Sequence, residues 1–226
     1  MARSPSSLLL VEGKNDEHVL YALLKQHQIP EVFQVHACNG IDHLLELLPL
    51  RLEESGRECL GLVLDADSDP IARWSELARR LSPLGYAGPA EGPVRSGAIF
   101  PSPDTFHPRV GIWMMPDNQN PGGLEEFLLA LVPATDRLLS RAREAIGAIP
   151  LLDRLFVPAH LTKAEMYTWL AWQETPGQPP GLAITAHSLD GTRPIAAELV
   201  NWLHQLFVAA PPDPTSPGQA VGSATP

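Results

Sequence analysis

The first 85 residues alternate between short apolar runs and amphipathic stretches. The apolar runs end at Gly or polar residues and are typical of strands buried on both faces: 8–11, 33–38 and 59–64. The stretches between and after them carry apolar residues three and four positions apart, the period of a helix: 15–28, 41–48 and 71–81. This alternation predicts a mainly parallel sheet flanked by helices, which is an α/β fold.

The regular alternation stops after residue 85. Gly and Pro recur up to Pro108, and a short apolar segment at 98–100 is expected to form a hairpin with a further strand at 110–115. From residue 133 onward the pattern is mostly helical, and 195–207 predicts an amphipathic helix after Pro194. We therefore divide the chain into an α/β domain (1–132), a helical extension packed on it (133–208) and a disordered tail rich in Pro, Gly and Ser (209–226).

Composition limits the classes of partner. The chain has 226 residues with a formal net charge of −10, which argues against a broad basic surface for duplex nucleic acid. It contains no apolar run long enough to span a bilayer and no signal-peptide pattern, so we expect no membrane partner. The two cysteines, Cys38 and Cys59, stand at apolar positions and are interpreted as reduced core residues, which predicts a cytoplasmic location.

Acidic residues recur where predicted strands end. In an open parallel sheet, sites form in the crevice beyond the carboxyl ends of the strands. So many carboxylates at one edge repel each other unless a cation lies between them, and hard oxygen ligands favour Mg²⁺ or Mn²⁺. The sequence therefore predicts a Mg²⁺ or Mn²⁺ site, whose candidate ligands are Glu12, Asp65, Asp67, Asp69, Asp117 and Glu125.

Some of these acids also have a purely structural explanation. Asp69 precedes Pro70 and is expected to cap a helix first and bind metal second. Glu125 and the neighbouring Glu126 favour a helix N-terminus whatever their function. The Asp65-x-Asp67 pair directly follows the most apolar strand, and a functional role explains it better than a structural one.

The order of these motifs resembles the Toprim superfamily. The resemblance rests on Leu-Leu-Val-Glu-Gly-Lys-Asn-Asp at 9–16, Asn-Gly at 39–40 and Leu-Asp-Ala-Asp at 64–67, and it covers residues 7–130. That superfamily includes primases, topoisomerases and nucleases related to the overcoming-lysogenization-defect proteins. Segments 110–118 and 123–127 resemble an uncharacterised bacterial Toprim-like family that also carries a helical C-terminal part.

The resemblance implies a role for individual residues. Glu12 would act as acid/base or metal ligand, Asp65 and Asp67 would hold metal, and Glu125 would match an additional acid of the nuclease-type relatives. Lys163 would be the basic catalytic group that stabilises phosphate, although a capping box starting at Thr162 explains its surroundings without catalysis. The chain lacks the topoisomerase tyrosine context, the zinc-binding module of primases and an ATPase phosphate loop.

The leading expectation is a metal-dependent phosphodiester hydrolase, a small nuclease acting on single-stranded or partner-delivered nucleic acid, with a protein partner that helps to hold the substrate. The alternative is a Toprim-fold binding or regulatory module without turnover, with tryptophans of the helical part as a protein-binding surface; core packing is the favoured role of those tryptophans. A positive groove leading to the acids would favour the enzyme, and an acidic or blocked groove would favour the module.

A third possibility is a phosphatase of haloacid-dehalogenase type, with Asp65 as nucleophile and Asp67 as general acid. It is disfavoured because the pair follows the third strand and Asp69 stands where those enzymes carry Thr or Val.

Overall fold

A computed structural model describes residues 6–87 and 92–209. The structure has five strands: β1 (Ser7–Val11), β2 (Gln34–Ala37), β3 (Cys59–Asp65), β4 (Ala98–Phe100) and β5 (Arg109–Met115). They form one sheet in the order β2-β1-β3-β5-β4, in which the first four are parallel and β4 runs antiparallel to β5. The mainly parallel α/β fold is thereby confirmed, as is the hairpin of β4 with β5.

Helices cover both faces of this sheet. No helix within the described residues is long and apolar enough to cross a membrane. The helices are α1 (Lys14–Gln26), α2 (Ile41–Leu52), α3 (Pro70–Leu81), α4 (Leu124–Ala130), α5 (Leu138–Gly147), α6 (Leu161–Ala171), α7 (Pro180–Thr185) and α8 (Pro194–Phe207).

The two predicted helix caps have different outcomes. Asp69 caps α3 as predicted, because its Oδ1 accepts a hydrogen bond from Ala72 N at 2.9 Å. The capping box at Thr162 is wrong: α6 already begins at Leu161, directly after a 3₁₀ turn at Pro158–His160. The Glu165 carboxylate, which the box would have used, instead accepts a hydrogen bond from Arg143 Nε at 2.8 Å.

The sheet separates two apolar cores. On one face, α2 and α3 pack against the strands around Leu48, Trp74 and Leu77. The other face is covered by helices from both halves of the chain, including α1, α4, α6, α7 and α8. A single core therefore joins the α/β part to residues after 133.

Two glycines allow α8 to lie directly on the strands. A Cβ atom added to Gly111 would lie 2.4 Å from Leu206 Cδ2, and one added to Gly61 would lie 2.9 Å from Phe207 Cζ. Trp202 of α8 packs beside Trp113 of β5 with ring centroids 5.9 Å apart, and both side chains are fully buried. Side-chain bulk on these strands would hold the helix away from the sheet.

The remaining sequence predictions on the fold concern the cysteines and the tail. Cys38 and Cys59 are unpaired and buried, as predicted. Apart from Ala209, the predicted disordered tail lies outside the described residues.

Candidate functional site

Glu12 and Asp65 meet because they end neighbouring parallel strands. β1 pairs with β3 up to Val11 and Val63, so the residues that follow both strands emerge at the same edge of the sheet. Glu12 Oε1 accepts a hydrogen bond from Asp65 N at 2.8 Å. The Glu12 carbonyl also accepts one from Gly40 N at 2.8 Å, which fixes this loop against the end of β2.

Asp65 lies between Glu12 and the start of α4 and forms a hydrogen bond with each. Its Oδ1 accepts a hydrogen bond from Leu124 N at 3.1 Å. A Cβ atom added to Gly123 would lie 2.4 Å from Asp65 Oδ2, so only glycine leaves room for the carboxylate in this place. The loop from β5 to α4 thus shapes the position of an acid that belongs to β3.

Asp16 is a further acid of this cluster to which the sequence analysis assigned no role. It lies in the first turn of α1, is 7% exposed, and its Oδ2 accepts a hydrogen bond from Gly13 N at 3.1 Å. Its Oδ1 is buried and has no hydrogen-bond partner within the described residues. The signal in the sequence was its place four residues after Glu12, but an acid in a first helical turn is also common for structural reasons.

Burial and crowding favour the protonated forms of these acids. Burial, followed by repulsion from neighbouring carboxylates, raises the pKa of Asp65 to about 8. Burial likewise raises the pKa of Asp16 to about 7, with repulsion from Glu12 and Glu125 adding to the effect. The pKa of Glu12 is also raised by burial, against the opposing hydrogen bond from Asp65 N. At neutral pH, protons therefore offset part of the negative charge in this cluster.

The outer acids are paired with cations of the chain itself. Asp67 accepts a hydrogen bond from the guanidinium of Arg73, and Glu125 Oε1 lies 3.1 Å from Lys163 Nζ. The backbone of Asp67 has a φ of 54° and exchanges two hydrogen bonds with Gly122, which joins the loop after β3 to the loop before α4. The inner acids Glu12, Asp16 and Asp65 form no such ion pair within the part of the chain that the structure describes.

An open pocket of about 540 Å³ lies beside the cluster. It is lined by the acids Asp65, Asp67, Glu125 and Glu126, and by His160, Thr162 and Lys163 at the N-terminal region of α6. Helix α6 is also tied to α1, because Asn15 Nδ2 donates to the Tyr167 hydroxyl at 2.9 Å. The pocket is open, but among the described residues the acids that line it outnumber its one lysine four to one, which is the charge expected for a binding module.

A larger hollow lies at the opposite edge of the sheet. It measures about 820 Å³ and is lined by residues at the amino ends of the strands, among them Ser7, Cys59 and Arg109. Its lining does not include any acid of the cluster. The smaller pocket is the better candidate because Asp65, whose pKa is strongly raised, lines it together with further acids.

Two predicted metal ligands make other contacts. The Asp69 side chain caps α3, as described above. Asp117 accepts hydrogen bonds from Gln119 N and Asn120 N within its own loop, and it lines a separate hollow with Arg95 and Arg193. The structure thus brings Glu12, Asp16, Asp65 and Glu125 together, places Asp67 at their rim, and leaves Asp69 and Asp117 with structural contacts.

The chemistry of the donor set suits a hard divalent cation. All its donors are carboxylate oxygens, and the unpartnered Oδ1 of Asp16 is a buried acceptor that a cation would satisfy. Within residues 6–87 and 92–209, no three His, Cys, Asp or Glu side chains already stand in a metal-binding arrangement. To bind a metal ion, Asp67 would have to turn away from Arg73, and Glu125 from Lys163.

Fold and site together define a class: an α/β protein with a buried carboxylate cluster at the carboxyl edge of a mainly parallel sheet. The chain belongs to the family described as "Protein of unknown function (DUF3226)", whose profile matches residues 6–208. No curated protein and no solved structure matches it. The resemblance to the Toprim superfamily stays a prediction.

Proposed function

We propose that this protein is a Mg²⁺- or Mn²⁺-dependent phosphodiester hydrolase of Toprim type, with nuclease-like activity. The observation that carries the proposal is the position of Asp16, which puts a buried and unpartnered carboxylate oxygen next to Glu12 and Asp65. The resemblance of segments 9–16 and 64–67 to Toprim motifs supports the same assignment.

The unfavourable free energy of burying several carboxylates together supports the proposal that the cluster binds a cation. Burying several carboxylates together is unfavourable unless they are protonated, paired or bound to metal. Protons compensate Asp16 and Asp65 only in part at neutral pH, since their pKa values are about 7 and 8. A divalent cation would replace those protons and offset the repulsion among the deprotonated acids.

The acids of the cluster and Lys163 would have different roles in the proposed reaction. Asp16, Asp65 and Glu125 would hold the ion, and Asp67 would join them by turning from the rim towards the cluster. When bound, the ion supplies charge stabilisation at the phosphate and an activated water. Glu12 lies within hydrogen-bond distance of the Asp65 backbone and would take up the proton released by the attacking water. Lys163, which lines the same pocket, would contact a phosphate oxygen.

Pocket size and charge favour a small or single-stranded substrate. A volume of about 540 Å³ lies within the range of small-molecule pockets and suits a nucleotide-sized segment rather than a duplex. The net charge of −10 gives no general attraction for duplex phosphates. We therefore propose single-stranded nucleic acid, or nucleic acid delivered by a partner protein, as substrate.

A binding or regulatory module without turnover is the second candidate. Two observations favour it. The described part of the pocket is lined by more acids than cations. In addition, Arg73 and Lys163 already neutralise Asp67 and Glu125, so the outer acids have partners without metal. The tryptophans do not add to it, because Trp169 and Trp202 are fully buried in the core and only Trp172 is substantially exposed.

Calorimetric titration of Mn²⁺, followed by a cleavage assay, tests the proposal. We expect the wild type to bind Mn²⁺ and the Asp65→Asn and Asp16→Asn variants to lose at least tenfold in affinity, because each loses a charged ligand. Glu144→Gln, on the exposed surface of α5, is the matched control and should bind as the wild type does. The metal-bound protein should cleave single-stranded DNA, nicked DNA or RNA, and Asp67→Ala should not.

Two results would count against the enzyme. Equal Mn²⁺ binding by wild type and Asp65→Asn would remove the proposed metal site. Metal binding without cleavage of any substrate, with either ion, would favour the binding module.

A further inference from the structure

The pocket contains one strong cation, and an acid already holds it. Lys163 is the only lysine or arginine among the described residues that line the pocket, and its Nζ lies 3.1 Å from Glu125 Oε1. The hydrogen bond to Glu125 is the main reason why the pKa of Lys163 is raised. In this state the lysine is a counterion of the acidic wall and not a free anion-binding group.

A phosphate entering this state would meet net repulsion. Asp65, Asp67, Glu125 and Glu126 line the pocket, and Asp16 is close enough to interact electrostatically with Asp65 and Glu125. The other nearby guanidinium, of Arg73, contacts Asp67 and Glu76 and does not line the pocket. Without an added cation, the described part of the site offers a phosphate monoester little attraction.

The ion pair of Lys163 with Glu125 is easily exchanged. The Lys163 side chain is 54% exposed, and exposed ion pairs contribute little to stability because water screens them and long side chains lose freedom. A divalent ion bound by Glu125 would compete directly for the carboxylate oxygen that Lys163 now contacts. The lysine, on a flexible four-carbon stem, could then reach into the pocket.

We propose that the Glu125–Lys163 ion pair is a gate that makes binding ordered: metal binds first, releases Lys163, and only then does the pocket accept a phosphate group. This inference rests on the proposed metal site and adds the regulation of that site. The coupling is reciprocal, so phosphate must tighten metal binding by the same factor by which metal tightens phosphate binding.

Thymidine 5′-monophosphate is a suitable probe because it contains a phosphate but no diester bond to hydrolyse. Its affinity is measured by calorimetry on the full chain with and without Mg²⁺. We expect at least a tenfold gain in affinity when Mg²⁺ is present. Glu125→Gln should bind the probe at least threefold more tightly than the wild type in the absence of metal, because its amide does not hold the lysine by charge.

Variants of Lys163 test whether the released lysine binds the phosphate or whether the charge of Mg²⁺ alone attracts it. Lys163→Met should bind Mg²⁺ but lose about tenfold in affinity for the probe, and Lys163→Arg should restore most of that affinity. Lys25→Met, at an exposed position near the end of α1, is the matched control and should behave as the wild type does.

The outcomes distinguish this inference from the proposed function. If Mg²⁺ binds and diesters are cleaved, but the probe binds equally well with and without metal, the gate is wrong and the enzyme stands. If Lys163→Met binds the probe as tightly as the wild type in Mg²⁺, the gate is also wrong. If the wild type binds neither Mg²⁺ nor Mn²⁺, both proposals fail.

Discussion

At the scale of single residues, the site differs from an ordinary acidic surface in its desolvation. Asp16 and Asp65 have raised pKa values because burial, more than mutual repulsion, disfavours their charged forms. Exposed acids such as Asp104, whose pKa is lowered by hydrogen bonds from the backbone, behave in the opposite way. The inner acids therefore lower the stability of the metal-free protein whenever they are ionised.

The stability of the metal-free protein should depend on pH through Asp65. Its pKa rises from 3.8 to about 8 on folding, so the folded state binds more protons than the unfolded state between these values, and stability falls as pH rises through 8. Asp65→Asn keeps an acceptor for Leu124 N but carries no charge. At pH 8 in EDTA we expect it to unfold at a temperature roughly 2–8 °C higher than the wild type, and at pH 4 to differ little.

Thermal unfolding followed by circular dichroism at both pH values checks this prediction. A variant that is less stable than the wild type at pH 8 would contradict it. A stabilised variant would also show that any loss of Mn²⁺ binding by Asp65→Asn does not come from unfolding.

At the scale of elements, the loop before α4 pairs with the loop after β3 through backbone hydrogen bonds, as two antiparallel strands do. Gly122 exchanges backbone hydrogen bonds with Asp67, and Gly123 lies against the Asp65 carboxylate. Glu126 closes the start of α4 by accepting a hydrogen bond from Gly123 N at 2.8 Å. The site therefore depends on a contact between two loops that are more than fifty residues apart in sequence.

Gly123→Ala adds only a methyl group but should disturb the site strongly. The added Cβ would lie 2.4 Å from Asp65 Oδ2, so either the carboxylate or α4 must move. We expect a loss of about 1–3 kcal/mol in stability and at least a tenfold loss in Mn²⁺ affinity.

Gly147→Ala provides the matched control, because nothing lies within 4 Å of its added Cβ at the end of α5. It should keep the wild-type affinity for Mn²⁺ and a stability within about 1 kcal/mol of the wild type. Urea unfolding and calorimetry measure both quantities. Wild-type Mn²⁺ binding by Gly123→Ala would show that Asp65 does not need its present position.

At the scale of the whole molecule, the helical part completes the core of the sheet. Trp202 lies on Gly97 and Gly111 and donates a hydrogen bond to the Ala98 carbonyl at 3.2 Å. Its side chain is fully buried beside Trp113. The predicted division into an α/β domain and an extension describes the chain order, but the two segments share one apolar core.

Shared burial predicts that the two segments unfold together. Trp202→Ala should lower stability by about 3–5 kcal/mol, whereas Trp172→Ala, at a side chain 42% exposed, should cost less than about 1 kcal/mol. Hydrogen exchange in increasing urea should show the amides of β5 and α8 losing protection at the same concentration. Loss of protection in α8 while β5 stays protected would instead indicate separate units.

The sequence by itself predicted the five strands, the helices α1, α2, α3 and α8, and the acids at the ends of β1 and β3. These features are local, because the periodicity of apolar residues fixes which face of each element is buried. Since parallel strands all end at one edge, the sequence also predicted that Glu12 and Asp65 would lie there, whatever the order of the strands.

Only the tertiary structure decided which of these acids lose contact with water and which cation each one faces. The burial of Asp16, the pairing of Glu125 with Lys163, the fit of Gly123 against Asp65 and the place of α8 over Gly111 all depend on segments distant in sequence. The physical reason is that desolvation and close packing are properties of the assembled neighbours, which the pattern along a single segment does not encode.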